Sequence, residues 1–344
     1  MVTNQSRTNQ ALPSPPWRLL GLYAALVVMV CASLMTGAVP LSVVQSLKGL
    51  VGGDDLAATI MREIRLPRTL LALFVGGILG VSGAALQGLM RNPLADPTVF
   101  GAPQAAAFGA VLVLYSGMAG ALSVALPMAA IAAALLSFVV LMRIIGRQAS
   151  VGAMILAGLA IGTLAGAATS IVIALSANPF AVTEIVFWMM GSFEDRSLLH
   201  VGLSLPFICL AMLVLLAQGN GYRALVLGED SATSLGIDVS RLRWITLVAV
   251  AMGVGAAVAV SGAIGFVGLI APYCARLLVG VDPKRILWPA LLSGSLLLVM
   301  ADVVVRLVPA QAELRVGAVT ALLGVPLFMA AIRQHRSLFV EGAS

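Results

Sequence analysis

The chain has 344 residues, of which 60% are hydrophobic and 10% charged, against roughly 25% charged in a soluble domain. That composition excludes a water-soluble globular fold and points to a membrane protein. The net charge of +6 does not indicate a nucleic-acid partner, because the Lys and Arg residues are spread over short connections and not gathered into a patch.

Residues 1–16 are polar and end in Pro13-Ser14-Pro15-Pro16; they read as a disordered tail on the cytoplasmic side. The run from Leu19 to Met35 exceeds the roughly 7–15-residue core of a signal peptide and is read as a retained first span. Residues 17–344 read as one all-α transmembrane domain. Its ten spans are expected near 18–38, 67–90, 103–119, 122–143, 151–175, 197–217, 242–262, 266–280, 286–308 and 316–333. The eighth is short and broken by Gly and Pro.

Arg65 and Arg68 flank Pro67 at the start of the second span, three apart and therefore on one side of a first helical turn. A helix start is already the positive end of the dipole, so two arginines there need another reason. Anchoring to lipid headgroups is one; recognition of carboxylates on an incoming protein is the other. Arg306, at the outer end of the ninth span, joins them at the same level. Gly76, Gly77, Gly80 and Gly83 suit close helix approach. The prolines and Asn/Asp pair of Asn92-Pro93-Leu94-Ala95-Asp96-Pro97 make a rigid turn.

Asn178 to Arg196 is neither fully apolar nor loop-like. Phe180, Phe187, Trp188 and Met189, with Glu184 among them, fit an interfacial aromatic belt; they also fit the gate or mouth of a path for a bulky, partly apolar ligand. Further on, Gly228 to Arg243 concentrates charge in a chain that has little. Ala232, Leu235 and Gly236 fall three and four apart, opposite Glu229 and Asp230. This predicts a short exposed amphipathic helix that docks a soluble protein. In the ninth span Asp302 and Arg306 stand i,i+4 and are expected to pair, since a lone charge at the bilayer centre costs roughly 2.5–3.5 kcal/mol.

The chemistry that is missing narrows the function. The only lysines, Lys48 and Lys284, are followed by Gly49 and Arg285, so no GxxxxGK[ST] phosphate loop exists. ATP hydrolysis by this chain is not expected, nor any other enzymatic activity. Cys31, Cys209 and Cys274 lie singly in apolar runs, and His200 and His335 lack partners for a metal; no metal site and no cofactor are expected. No relay of intramembrane carboxylates appears, which disfavours an ion-coupled secondary transporter, the alternative from another class. With the N-terminus inside, 13 basic residues fall in inner connections and 7 in outer ones. That bias puts both termini in the cytoplasm of a cell whose inner (plasma) membrane holds the protein.

The ordered motifs resemble the FecCD-type permease subunits of ABC importers for iron–siderophores, haem and cobalamin. They are Arg65-Leu66-Pro67-Arg68, Ser82-Gly83, Gln87-Gly88, Arg91-Asn92-Pro93-Leu94-Ala95-Asp96-Pro97, Gly228-Glu229-Asp230, Leu235-Gly236, Gly265 to Pro272, Ala301-Asp302, Glu313-Leu314 and Gly324-Val325-Pro326. One departure is Tyr273, where the family usually has histidine. The resemblance implies a type II ABC importer permease fold and pairing with a second copy of the same chain. It also implies two copies of an ABC ATPase subunit on one side and a substrate-binding protein on the other. Glu229, Asp230, Ala232, Leu235 and Gly236 would then couple to the ATPase, and Arg65, Arg68 and Arg306 would dock the binding protein. Phe180, Glu184, Phe187, Trp188 and Met189 would line the path or its gate. The cargo expected is a ferric chelate, foremost an iron–siderophore, with haem or cobalamin as the alternative within the family.

Overall fold

The computed structural model describes residues 17–52, 56–118, 124–146, 151–176, 179–308 and 314–334; the expected N-terminal tail lies outside them. Among the described residues the regular structure is helical. In chain order the helices are α1 (Trp17–Met35), α2 (Val43–Val51), α3 (Leu56–Thr59), a π-helical turn (Ile60–Arg65) and α4 (Leu66–Met90). A 3₁₀ turn (Pro97–Phe100) precedes α5 (Ala102–Tyr115), α6 (Ala125–Ile145), α7 (Val151–Leu175) and α8 (Pro179–Met189). There follow α9 (Leu198–Ala217), α10 (Gly219–Leu225), α11 (Glu229–Ser234), α12 (Val239–Ser261), α13 (Val267–Val279), α14 (Pro283–Leu307) and α15 (Val316–Gln334).

Among the described residues, seven helical stretches are long and apolar enough to cross a bilayer. Three shorter apolar helices, starting at Ala102, Val267 and Val316, stand beside them. Together they fall on the ten expected spans, with ends shifted by a few residues. The short eighth span is α13, which carries Pro272.

The core forms around α4, which packs against α14, α13, α9 and α12. Between apolar helices in lipid the attraction is mostly packing, so close approach matters. Gly76 of α4 meets the backbone of Gly294 on α14, and a Cβ on either would strike the other's carbonyl. Ser295 reinforces the contact by donating its hydroxyl to the Leu73 carbonyl at 2.7 Å. By contrast α1 is largely exposed, with Val27 and Val28 outward. It is held by Ser33 to Thr69 at 2.7 Å and by the indole N–H of Trp288 donating to the Tyr23 hydroxyl.

Among the elements outside the expected spans are α2 and a π-turn. Helix α2 starts at a capping box: the Ser42 hydroxyl accepts from Gln45 N at 3.2 Å, and Gln45 Oε1 accepts from Ser42 N at 2.9 Å. The π-turn at Ile60–Arg65 inserts where α3 runs into α4, and Arg65 stands at its end.

Candidate transport and coupling surfaces

The arginines at the end of the molecule where α1 finishes and α4 begins do not face outward. Arg65 is 2% exposed and Arg68 8%. The Arg65 guanidinium donates to the carbonyls of Leu34 and Met35, both at 3.0 Å, and of Val39 at 2.5 Å. Arg306 donates to the carbonyls of Ser33 at 2.8 Å and Thr36 at 2.9 Å. Both thus bind carbonyls around the C-terminal end of α1, where orphan acceptors and the negative end of the dipole favour cations. Asp302, fully buried, is shared: Oδ1 accepts from Arg68 Nε at 2.8 Å and Oδ2 pairs with Arg306 at 2.8 Å. The expected Asp302–Arg306 pair is present. Arg65, Arg68 and Arg306, expected to dock the binding protein or to anchor in lipid, are turned into the protein. The returning chain at 33–39 takes up donors of Arg65 and Arg306, while Asp302 takes that of Arg68.

The aromatic segment forms a true helix, α8. Helical spacing turns Ile185 and Trp188 inward, with Trp188 8% exposed, and leaves Glu184 and Phe187 outward; Met189 is half-buried. Phe180 lies on α8, but its side chain is outside the described residues. A cavity of about 700 Å³ lies between α8 and the ends of α5 and α6, with Leu114, Leu126, Thr183, Glu184, Trp188 and His200 in its wall. Beyond α8 the chain is pinned by backbone contacts. Ser192 N donates to the Ser261 carbonyl at 2.8 Å and Gly317 N to the Gly191 carbonyl at 3.3 Å. Burial pushes the Arg196 guanidinium down, with neighbouring Asp195 opposing.

A residue missed in the sequence ties α15 to this helix. Arg315 donates to Glu194 Oε2 at 2.6 Å and lies 4.8 Å over the Phe187 ring. Its only sequence signal was position, directly before the Val316-Gly317 helix start. Arg315→Ala is expected to loosen α8 against α15. Amide exchange over residues 181–189 should quicken about tenfold, equivalent to about 1.4 kcal/mol of local opening. Exchange unchanged from wild type would show that Arg315 does not restrain α8.

At the opposite end, α10 and α11 project the charged stretch. Ala232 is fully buried against its own chain, whereas Leu235 is 64% exposed. Glu229 pairs with Arg243 at the start of α12, fixing the stretch from within. Asp238 caps α12 by accepting from Arg241 N at 2.9 Å. Gly236, at φ +84°, occupies the left-handed region that ends α11. The expected single apolar side is therefore split. Ala232 seats the helix, while Leu235, Gly236 and Asp230 are presented. Nearby, Asp282 caps α14 and accepts from Arg223 at 3.1 and 2.5 Å. Burial alone would raise the Asp282 carboxyl, but its bonds to Arg223 and to the Lys284 N–H outweigh that and hold it below the usual range. Among the described residues no group of three or more His, Cys, Asp or Glu is placed to hold a metal.

A long α4 core, a short broken α13 and a projecting α11 between two spans form a distinctive set. The family model of the FecCD transport family matches residues 25–334. The chain belongs to the FecCD transport family. This FecCD chain is 39% identical over 301 residues to an uncharacterized ABC transporter permease, YvrB of Bacillus subtilis, covering 85% of this chain and 84% of the relative. It is 38% identical over 281 residues to the vitamin B12 import system permease BtuC of Salmonella typhimurium, covering 80% and 85%. The cobalamin import system permease BtuC of Halobacterium salinarum is 36% identical over 286 residues, covering 83% and 76%. A solved inward-facing structure of a provisionally assigned metal-chelate type ABC transporter superposes with a TM-score of 0.82 at 31% identity. It covers 93% of this chain and all of the solved one. The fold is thus that of an ABC transporter permease.

Proposed function

We propose that this FecCD permease forms the membrane path of a binding-protein-dependent ABC importer for a bulky metal chelate. The observation that carries the reading is α11: an exposed Leu235 held on a seat of buried Ala232 and a Glu229–Arg243 pair, between two membrane helices. Such a rigid knob can pass a partner's movement to the bundle. The partner is an ABC ATPase, two copies for a permease dimer, because this chain lacks a phosphate loop of its own. A second copy of the permease would cover apolar faces of α7 and α15, where Leu159, Leu164 and Leu322 are exposed. Helix α8, with Glu184, Phe187, Trp188 and Met189, is the gate beside that path. A substrate-binding protein delivers the cargo at the α8 end.

Two of the relatives above are named for cobalamin or vitamin B12 import, which moves the reading toward a corrinoid. Ferric siderophore import is the second reading, favoured by the metal-chelate type of the solved neighbour. Competition decides between them. In cells lacking their own importers but given this permease and its partners, unlabelled cobalamin should suppress uptake of radiolabelled cobalamin while ferric siderophores do not. Uptake of iron chelates alone would select the second reading.

The basic bias of 13 to 7 supports an inner-membrane orientation with both termini and α11 in the cytoplasm. In a variant without native cysteines, cysteine at Ser231 or Gly280 should react only with membrane-permeant labels. Cysteine at Lys48 should react with impermeant ones. Impermeant labelling at Ser231 would invert the orientation.

A further inference from the structure

The end of the molecule that carries α11 holds a second feature, a cavity of about 410 Å³. It opens between the C-terminal ends of α4 and α13 and the N-terminus of α14. Val226, on the approach to α11, forms part of its wall. Two arginines line it. Arg91 ends α4 in the left-handed conformation, at φ 50°, and is exposed. Arg276, in the last turn of α13, is half-buried and donates to Gln87 Oε1 at 2.6 Å. Gln87 is itself buried, and its amide donates to the Ala95 carbonyl at 3.3 Å, which directs its oxygen to Arg276.

A neutral amide satisfies a donor but does not cancel a charge. Among the described residues no carboxylate lies within ion-pair distance of Arg91 or Arg276. Arg223, close by in α10, shows the contrast, since Asp282 neutralises it. Holding a half-buried guanidinium without a counter-ion is unfavourable, and the gain on supplying one is correspondingly large. Asn92 and Tyr273 add polar groups to the wall, and Val226, Val281 and Ile286 add apolar surface.

We propose that this cavity receives an acidic side chain, next to an apolar one, from the ATPase subunit, as a second anchor beside α11. The inference rests on the ATPase-coupled reading above. Continuity selects this occupant: the cavity wall at Val226 runs within two residues of Gly228, where the presented stretch begins. The two contacts divide the work. Leu235 supplies an apolar knob, and Arg91 with Arg276 supplies charge selectivity, salt dependence and register.

The test uses the purified full-length permease with its cognate ATPase in nanodiscs of fixed lipid composition, comparing Arg91→Glu, Arg276→Gln and Arg276→Lys with wild type. The expected result is about tenfold weaker ATPase binding for Arg91→Glu and Arg276→Gln, with partial retention in Arg276→Lys and a shallower dependence of affinity on salt. Reversing the matching acid on the ATPase should restore binding to Arg91→Glu. A cysteine at Asn92 should crosslink to a cysteine at that acid, which keeps the test open if Arg276→Gln does not fold. Unchanged affinity and salt dependence in Arg91→Glu, with no crosslink from Asn92, overturns the proposal. So does loss of co-purified anionic lipid with ATPase affinity intact, which would assign the cavity to a phospholipid headgroup. If Leu235→Glu weakens binding while the arginine variants do not, the coupling reading stands and this inference alone fails. If neither weakens it, the ATPase reading itself has failed.

Discussion

Asp302→Ala is expected to destabilise the permease by about 3–5 kcal/mol, the cost of removing one partner from a buried ionic cluster. The carboxylate is fully buried and pairs with both Arg68 and Arg306. Without it two guanidinium groups stay in a site closed to water. Arg306 also grips the end of α1 through Ser33 and Thr36, so α1 should lose its attachment first. Asp302→Asn, which keeps the shape but not the charge, should fall between wild type and alanine. The double change Arg68→Leu with Asp302→Leu should recover part of the loss, because it removes opposite charges together. Thermal melting in detergent, followed by the monodisperse fraction, reads all four proteins. Equal melting of Asp302→Ala and wild type would mean that the cluster contributes nothing to stability.

Leu235→Glu is expected to leave folding intact and to reduce ATP-driven uptake to near background. Leu235 is 64% exposed, so its replacement removes little from the permease's own packing. A carboxylate there would have to be desolvated in the partner's groove. Ala232→Leu should behave differently. Ala232 has no exposed surface, so a larger side chain must push α11 off its seat, costing about 1–3 kcal/mol and weakening coupling as a consequence. Measuring uptake and melting side by side separates the two. Wild-type uptake by Leu235→Glu would remove α11 from the coupling contact.

Much of the fold was legible because membrane spans are written in composition. A run of apolar residues bounded by charge needs no long-range information, and the ten expected spans coincide with helices. The errors lie where long-range contacts decide. The approach of residues 34–39 to Arg65, and of Ser33 to Arg306, joins positions about 30 and 270 apart in sequence. Helical spacing at Arg65 and Arg68 says nothing of what lies over them. The amphipathic reading of Glu229 to Gly236 was half correct for a local reason. Helix α11 ends at Ser234, so Leu235 leaves the helical register and turns outward while Ala232 faces in. Helix α2, at nine residues, is too short to span a bilayer, so composition does not mark it, although Ser42 and Gln45 carry a capping signal. Glu184, Phe187, Trp188 and Met189 were legible as a group. Arg315, which holds them in place, was not, since its partners Glu194 and Phe187 lie more than a hundred residues away.

The most direct test of the central claim is uptake into proteoliposomes containing the permease, its ATPase and its substrate-binding protein. With ATP on the ATPase side and radiolabelled cobalamin or ferric chelate bound to the binding protein, accumulation should require all three proteins. It should stop without hydrolysable ATP and persist when an uncoupler collapses the proton gradient. Accumulation driven by an ion gradient in the permease alone, without ATP, would contradict the account and make this chain an ion-coupled carrier.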